Sequence, residues 1–372
     1  MSAQTHFNYQ LEQKDNISTP SLVLFNEVLH HNLEVLDGMV GLHNVFLHVK
    51  THKAIAMVRL QMAAGVAGFK CSTLSELEMV LAAGADDAIL AYPLMQKIKL
   101  DYLIRMILRH PESRVSAIIS KQQHLDALEA AASRAGAVRV NAMLDLDVGM
   151  NRTGICIGAD AMDLYRSMIK SPLIQAAGIH AYDGHIREAQ EPARDKEVKP
   201  IIEGLRQFQH QLRKEDIEVV RTVAGGTFTF PYYAREEGMY GSPGTCAYWD
   251  ASYLVNLADM AFCPAAVVLT QIIDRDEIRN TVTTDLGSKA IASDFPVELR
   301  ARVMDYPDAQ LIAQSEEHGV FVMKNTLPCI GDYMMVIPGH ICPTVAKYPG
   351  AYVVDRQGAV IDYFEHTARD RT

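Results

Sequence analysis

The chain has 372 residues, 49% hydrophobic and 22% charged, and 35 Lys and Arg against 45 Asp and Glu leave a formal charge of −10. Such values exclude a disordered or fibrous protein, and the length suggests two domains, although a barrel of about 250 residues counts as one. An acidic chain without a basic cluster repels phosphate backbones, which argues against a nucleic acid partner and for a small-molecule one.

Met1 to Thr19 is polar and mixed in charge, without a basic start, an apolar run or a small-residue cleavage site, so no signal peptide is expected and the reading is cytoplasmic. The longest apolar stretch, Ala261 to Thr270, is broken by Pro264 and falls far short of the ~20 residues a spanning helix requires, so no membrane segment is expected. Six cysteines (Cys71, Cys156, Cys246, Cys263, Cys329 and Cys342) are scattered without a C-x-x-C pair and read mostly as small buried hydrophobes.

From residue 20 to about 250, β-branched runs alternate with helical patterns, which signals repeated βα units and a parallel sheet. The expected strands are Ser21–Phe25, Val45–Lys50, Gly68–Ser72, Ala88–Tyr92, Val115–Ser120, Arg139–Asp147, Ala176–Tyr182 and Glu218–Ala224. Between them, Thr73 and Glu76 form a capping box ahead of Leu74, Leu77, Val80 and Leu81, with Gly84 as the stop. Similar amphipathic patterns at His31–Met39, Leu125–Ala135 and Ile201–Arg213 complete a (β/α)8 TIM-type barrel over residues 19–260. Beyond it, Val267–Ile273, Thr281–Thr284, Gly319–Met323, Tyr333–Ile337 and Tyr352–Val354 read as short strands of a mostly β domain, residues 261–372, to which the tail 1–18 could add a strand.

Active sites of such barrels lie at the C-terminal strand ends, and polar groups cluster there. His48-Val49-Lys50-Thr51-His52-Lys53 delivers Lys50 to the mouth, where desolvation favours the amine and a Schiff base with an aldehyde. Asp145 to Gly154 is a strand running into a polar glycine-containing loop in which Arg152 could hold an oxyanion. In Gly178 to His185, alternation aims His180, Tyr182 and Gly184 to one side, and His185 ends the segment. Ala224-Gly225-Gly226-Thr227-Phe228-Thr229 and Ser242-Pro243-Gly244-Thr245 let backbone N–H groups approach a phosphate, a common use of the last two barrel loops. In the β domain, a strand through Pro338 to Thr344 would place His340 and Cys342 on one face, where imidazole and thiolate suit zinc. Taken singly, each admits a plainer reading: a surface charge, an ion pair, a tight turn, or a buried Cys beside a hydrogen-bonded His.

Together the segments resemble the fold-type III pyridoxal-phosphate enzymes, and within them the D-serine dehydratase and D-threonine aldolase family, whose N-terminal barrel is alanine racemase-like. His48 to Lys53 is similar to the family's H-V-K-T-H-K motif and Asp147 to Gly154 to its D-x-G-M-x-R-T-G loop. Gly178–His185, Ala224–Thr229, Pro243–Asp250, Asp285–Lys289 and Pro338–Thr344 follow in the family's order, while Phe228 and Leu47 stand where relatives commonly have Pro. The resemblance implies that Lys50 carries pyridoxal 5'-phosphate, that Arg152 binds its phenolic oxygen, and that Tyr182 lies near the ring. Gly225, Gly226, Thr227, Gly244 and Thr245 would cradle the phosphate, His185 would face the substrate side chain, and His340 and Cys342 would hold a divalent metal such as zinc. It also implies a homodimer.

The implied chemistry is that of a lyase on D-hydroxy amino acids: Lys50 takes the Cα proton, and the metal helps the β-hydroxyl leave, turning D-serine into pyruvate and ammonia. The alternative is a D-threonine aldolase, with His185 or a metal-activated group as base and glycine and acetaldehyde as products. His-x-Cys resembles the zinc-dependent dehydratases, whereas aldolases tend to pair His with Asp, so the dehydratase is preferred. 3-Hydroxyaspartate is a further candidate substrate. A non-catalytic pyridoxal-phosphate carrier and a racemase stand as other readings; carriers of this fold lack the β domain, and a racemase would require a second base on the opposite face of the cofactor.

Overall fold

The computed structural model describes residues 7–371, and the chain divides into two units. A barrel unit comprises Asp37–Lys50, Val58–Gly244 and the residues from Asp370; a sheet unit comprises the residues up to Leu36, Thr51–Met57 and Thr245–Arg369. The division expected near residue 260 thus falls at residue 245, and residues 19–36 do not belong to the barrel. Of the tail 1–18, residues 1–6 lie outside the described residues and residues 7–18 form no strand.

Ser21–Phe25 (β1), expected to open the barrel, is a strand of the sheet unit. Leu22 to Phe25 are all buried, and an apolar run buried on both faces carries no mark of the sheet it joins. The barrel strands are β2 (Phe46–His48), β3 (Gly68–Cys71), β4 (Asp87–Leu90), β5 (Arg114–Ile119), β6 (Val140–Asp147), with the short β7 (Ile155–Cys156) beside it, then β8 (Ile174–Ala181), β9 (Thr222–Ala224) and β10 (Met239–Gly241). Their pairings are parallel, and a parallel bridge from Val45 to Gly241 joins the two ends, so eight strands nearly close. The eighth strand is Met239–Gly241, a three-residue segment too short to show alternation; the run expected to be eighth supplies the seventh, β9.

Phe46, Ile89, Ile118, Met143, Ala177 and Val223, one from each of six strands, fill the barrel interior. At the N-terminal strand ends Arg221 donates to both oxygens of Asp87 and lies 4.9 Å from the Phe46 ring centroid, a structural pair on the side of a barrel that serves stability. Thr73 caps the helix Leu74–Ala82, its Oγ1 accepting from the Glu76 N–H at 3.1 Å; the Glu76 carboxylate accepts the Ser72 N–H at 2.6 Å, and Gly84, at φ +89°, ends the turn after the helix. Helices Asn26–Val40, Gln122–Arg134 and Glu191–Arg213 cover the other expected patterns.

The sheet unit adds β11 (Ala266–Asp276), β12 (Thr281–Thr284), β13 (Ala301–Val303), β14 (Gln310–Gln314), β15 (Gly319–Val322), β16 (Tyr333–Pro338), β17 (Gly350–Val354) and β18 (Val360–Glu365). The order is β14-β15-β12-β11-β1-β17-β18, with β16 pairing both β11 and β13. All pairs are antiparallel except β1 with β17. Val23, Leu24, Val267, Val336, Phe321 and Val353 are among its core residues. Among the described residues no helix is long and apolar enough to cross a membrane.

Candidate active site

In the barrel unit the chemistry-bearing residues sit at the C-terminal strand ends. Lys50 follows β2 and Arg152 the turn after β6, while Tyr182 and His185 follow β8. Lys50 Nζ lies 5.9 Å and Arg152 Cζ 4.9 Å from the Tyr182 ring centroid, so two cations meet on one aromatic ring. His185 joins them through the loop: a Cβ on Gly149, whose φ is +118°, would come within 2.8 Å of His185 Nε2. Asp147 Oδ1 shapes that loop by accepting from the Gly149 and Asn151 N–H groups at 3.0 and 3.1 Å.

The two glycine turns follow the seventh and eighth strands, one strand earlier for the first than the sequence suggested. Side chains are excluded from the first turn: a Cβ on Gly225 would lie 2.7 Å from the Tyr233 ring, and one on Gly226 would lie 3.0 Å from that of Tyr182. Asp183 fixes this turn. Its carboxylate accepts from Thr229 Oγ1 at 2.7 Å and Tyr233 OH at 2.8 Å, and Thr229 Oγ1 accepts the Gly226 N–H at 3.1 Å. Burial raises the Asp183 carboxyl above its usual range against the pull of those hydroxyls. The second turn is tied back by the Pro243 carbonyl, which accepts the His48 N–H at 2.8 Å, and by a long 3.4 Å contact from the Gly244 N–H to Thr227 Oγ1.

Beneath these groups lies a buried polar set. His180 Nδ1 pairs with Asp145 Oδ1 at 2.7 Å, Thr153 Oγ1 donates to Asp145 Oδ2 at 3.1 Å, and His180 Nε2 has no protein partner. Burial lowers the His180 imidazole despite Asp145. Lys70, on β3, is 2% exposed with its Nζ 5.6 Å from the Tyr182 centroid. Burial first, then the Lys50 cation, brings its ammonium down to about 7 against Asp183 and Asp145.

Thr245, His340 and Cys342 belong to the sheet unit. His340 and Cys342 do not lie on a strand. β16 ends at Pro338, His340 caps the short helix Ile341–Val345, and Cys342 is inside it, because Pro343 and Thr344 fit a first helical turn better than a ladder. The two side chains act on one another all the same, the Cys342 thiol favouring the charged His340 imidazole. His340 Nδ1 lies 2.6 Å from Asp294 Oδ2, Phe295 stacks on its ring at 5.6 Å, and Thr51 Oγ1 lies 3.2 Å from Cys342 Sγ. Burial works to lower the imidazole, but Cys342 and Asp294 outweigh it and carry it up to about 9. Asp250 holds the segment from behind, accepting from the Ile341 N–H at 3.1 Å and the Tyr253 N–H at 2.9 Å. Among the described residues no three His, Cys, Asp or Glu side chains are grouped to hold a metal ion.

The family model described as the alanine racemase N-terminal domain matches residues 26–251. The chain belongs to that family. A second model, a putative serine dehydratase domain, matches residues 265–354. Relatives of this alanine racemase-type chain that span it nearly end to end carry the names of lyases. D-threonine aldolase from Arthrobacter sp. is 26% identical, covering 95% of this chain and 93% of its own length. D-threo-3-hydroxyaspartate dehydratase from Delftia sp. (strain HT23) is 24% identical, covering 92% and 96%. The crystal structure of D-threonine aldolase from Filomicrobium marinum superposes with a TM-score of 0.87 at 25% identity over 99% of both chains.

Three polar residues of this alanine racemase-type barrel escaped the sequence reading. Asp183 lies inside the segment Gly178–His185, and its signal is its place between Tyr182 and Gly184. Asp145 opens the segment Asp145–Gly154, and its signal is its place two residues before Asp147, the alternation that returns a side chain to the same face. Lys70 gave no signal, because all four residues of β3 are buried and alternation is lost.

Proposed function

We propose that this chain is a pyridoxal 5'-phosphate-dependent lyase of D-β-hydroxy amino acids that dehydrates D-serine to pyruvate and ammonia. One observation carries the cofactor: Lys50 and Arg152 converge on the Tyr182 ring beside a glycine turn in which a Cβ would strike Tyr182 or Tyr233. The residues fit a planar anion with a phosphate tail, for an amine, a guanidinium, an aromatic ring and a glycine turn that side chains cannot crowd are the four kinds of partner it requires.

Pyridoxal phosphate, when bound, supplies an aldehyde and an electron sink that acidifies the substrate's Cα hydrogen. Lys50 is the residue placed to hold it and to take up the Cα proton at Nζ. Arg152 neutralises the phenolic oxygen, Gly225, Gly226, Thr227, Gly244 and Thr245 bind the phosphate, and His185 faces the substrate side chain. His340 and Cys342 are the proposed ligands of a divalent ion, zinc by the softness of sulfur, whose chemistry when bound is to polarise the β-hydroxyl. Asp294, 2.6 Å from His340 Nδ1, would orient the imidazole of such a ligand, as carboxylates do behind metal-binding histidines. A homodimer is proposed on the family resemblance alone, and light scattering of the purified protein tests it.

The cysteine two residues after His340 favours the dehydratase. Retro-aldol cleavage is the second reading, favoured by similarity to the Arthrobacter aldolase across 95% of the chain. One assay separates them: the protein loaded with cofactor and zinc is given D-serine, D-threonine and D-3-hydroxyaspartate, and ammonia, oxo acid and aldehyde are scored separately. Pyruvate and ammonia from D-serine are expected. Aldehyde and glycine from D-threonine without ammonia would install the aldolase, and a protein without Schiff-base absorbance would end the cofactor reading.

A further inference from the structure

Lys70 is the one charge of the barrel site to which nothing above gives a task. It stands on β3 in register with His48, two residues before Lys50, and is 2% exposed. Its Nζ, Lys50 Nζ and Arg152 Cζ lie 5.6, 5.9 and 4.9 Å from the centroid of Tyr182, so three cations surround one ring. Among the described residues no hydrogen bond or ion pair takes up the Lys70 amine. Buried lysines are rare without a partner, because an ammonium out of water is costly unless an anion or acceptor meets it.

The nearest counter-charges are already engaged. Asp145 is held by His180 and Thr153, and Asp183 by Thr229 and Tyr233. With every group ionised, the three cations Lys50, Lys70 and Arg152 exceed the two carboxylates acting on Lys70 by one positive charge. Such a set can take up one anionic charge with Lys70 protonated, and without an anion the excess is relieved by the Lys70 amine losing its proton.

Resting on the cofactor reading above, we propose that Lys70 is a further cofactor-binding residue, whose amine donates to the anionic oxygen edge of the cofactor ring on the Tyr182 face, beside Arg152. In the ligand-free protein, burial and then Lys50 keep part of the Lys70 population uncharged near pH 7, with Arg152 adding to the effect and Asp183 and Asp145 opposing it. An anion at this position restores the charge, so binding takes up a proton and weakens as pH rises above 7.

The test uses pyridoxine 5'-phosphate, which has no aldehyde and cannot join Lys50, so its dissociation constant from equilibrium dialysis reads the non-covalent contacts alone. For Lys70→Met, affinity at pH 6.5 is expected to fall about tenfold or more, the effect of losing one hydrogen bond to a charged group. The ligand-free variant should melt no lower than the parent, since it exchanges a buried amine for an apolar chain of similar length. Unchanged affinity overturns the proposal. If the variant does not fold, the parent protein decides: its affinity should drop several-fold between pH 7 and pH 9, where the phosphate is already ionised, and a flat profile overturns the inference. A parent protein that binds neither this probe nor pyridoxal phosphate refutes the proposed function instead, so the two failures are distinct.

Discussion

Lys50 and Cys342 divide the proposed chemistry between them, and their substitutions separate it. Lys50→Ala is expected to abolish both turnover and the visible Schiff-base band, whereas Cys342→Ala should keep the band and lose tightly bound zinc, read by absorbance and metal analysis of the dialysed protein. Asp183 sets a structural test of the glycine turn in the barrel unit. Its two oxygens take up the Thr229 and Tyr233 hydroxyls, so Asp183→Ala leaves two donors without their acceptor, at about 1–3 kcal/mol for each that stays dry. Urea unfolding should show that loss, and pyridoxal phosphate affinity should fall with it because the Gly226 N–H depends on Thr229 for its position. At this scale the sequence was most legible where a residue type has one physical use. The glycines at 149, 225 and 226 stand where a Cβ would collide with His185, Tyr233 or Tyr182, and Lys50 follows a short buried strand, two residues past its end. Lys70 was hidden by the same rule, since a charge in a strand buried on both faces interrupts no pattern.

Short elements were where spacing misled. His340 and Cys342 are two apart, which on a strand would align them, yet they meet at the start of a five-residue helix. What makes so short a helix tenable is Asp250, which caps Ala251–Asn256 through the Tyr253 N–H and takes the Ile341 N–H with its other oxygen. A partner nearly a hundred residues away in sequence cannot be read from local pattern. Burial raises the Asp250 carboxyl from 3.8 to about 6, against the backbone N–H groups that favour its charge. The folded protein therefore holds a proton that the unfolded chain releases near pH 4, and the stability Asp250 contributes declines as pH rises from about 4 to about 6, by roughly 3 kcal/mol. Asp250→Asn cannot titrate and should flatten that part of the curve of unfolding free energy against pH. An undiminished slope in the variant would assign the proton to another group.

The whole molecule depends on a strand that local sequence could not place. β1 lies between β11 and β17, in antiparallel register from Ser21 against Leu269 to Leu24 against Ala266, and parallel to Tyr352–Val354. Its β17 partners arrive more than three hundred residues later in the chain. An interior strand supplies ladder hydrogen bonds on both edges and here is buried on both faces, so removing it exposes two edges and opens the core around Val267, Val336 and Val353. A protein starting at residue 26 keeps the matched racemase-type segment and all eight barrel strands, and sequence boundaries alone would predict that it folds. The register predicts the opposite: the truncated protein should lose its cooperative unfolding transition and aggregate. The single change Leu24→Ala should lower unfolding free energy by about 2–5 kcal/mol while leaving the m-value unchanged. Were the truncation to unfold at the parent's midpoint, β1 would be an accessory to the sheet, and the connection between the first residues of the chain and the segment carrying His340 would have no energetic content.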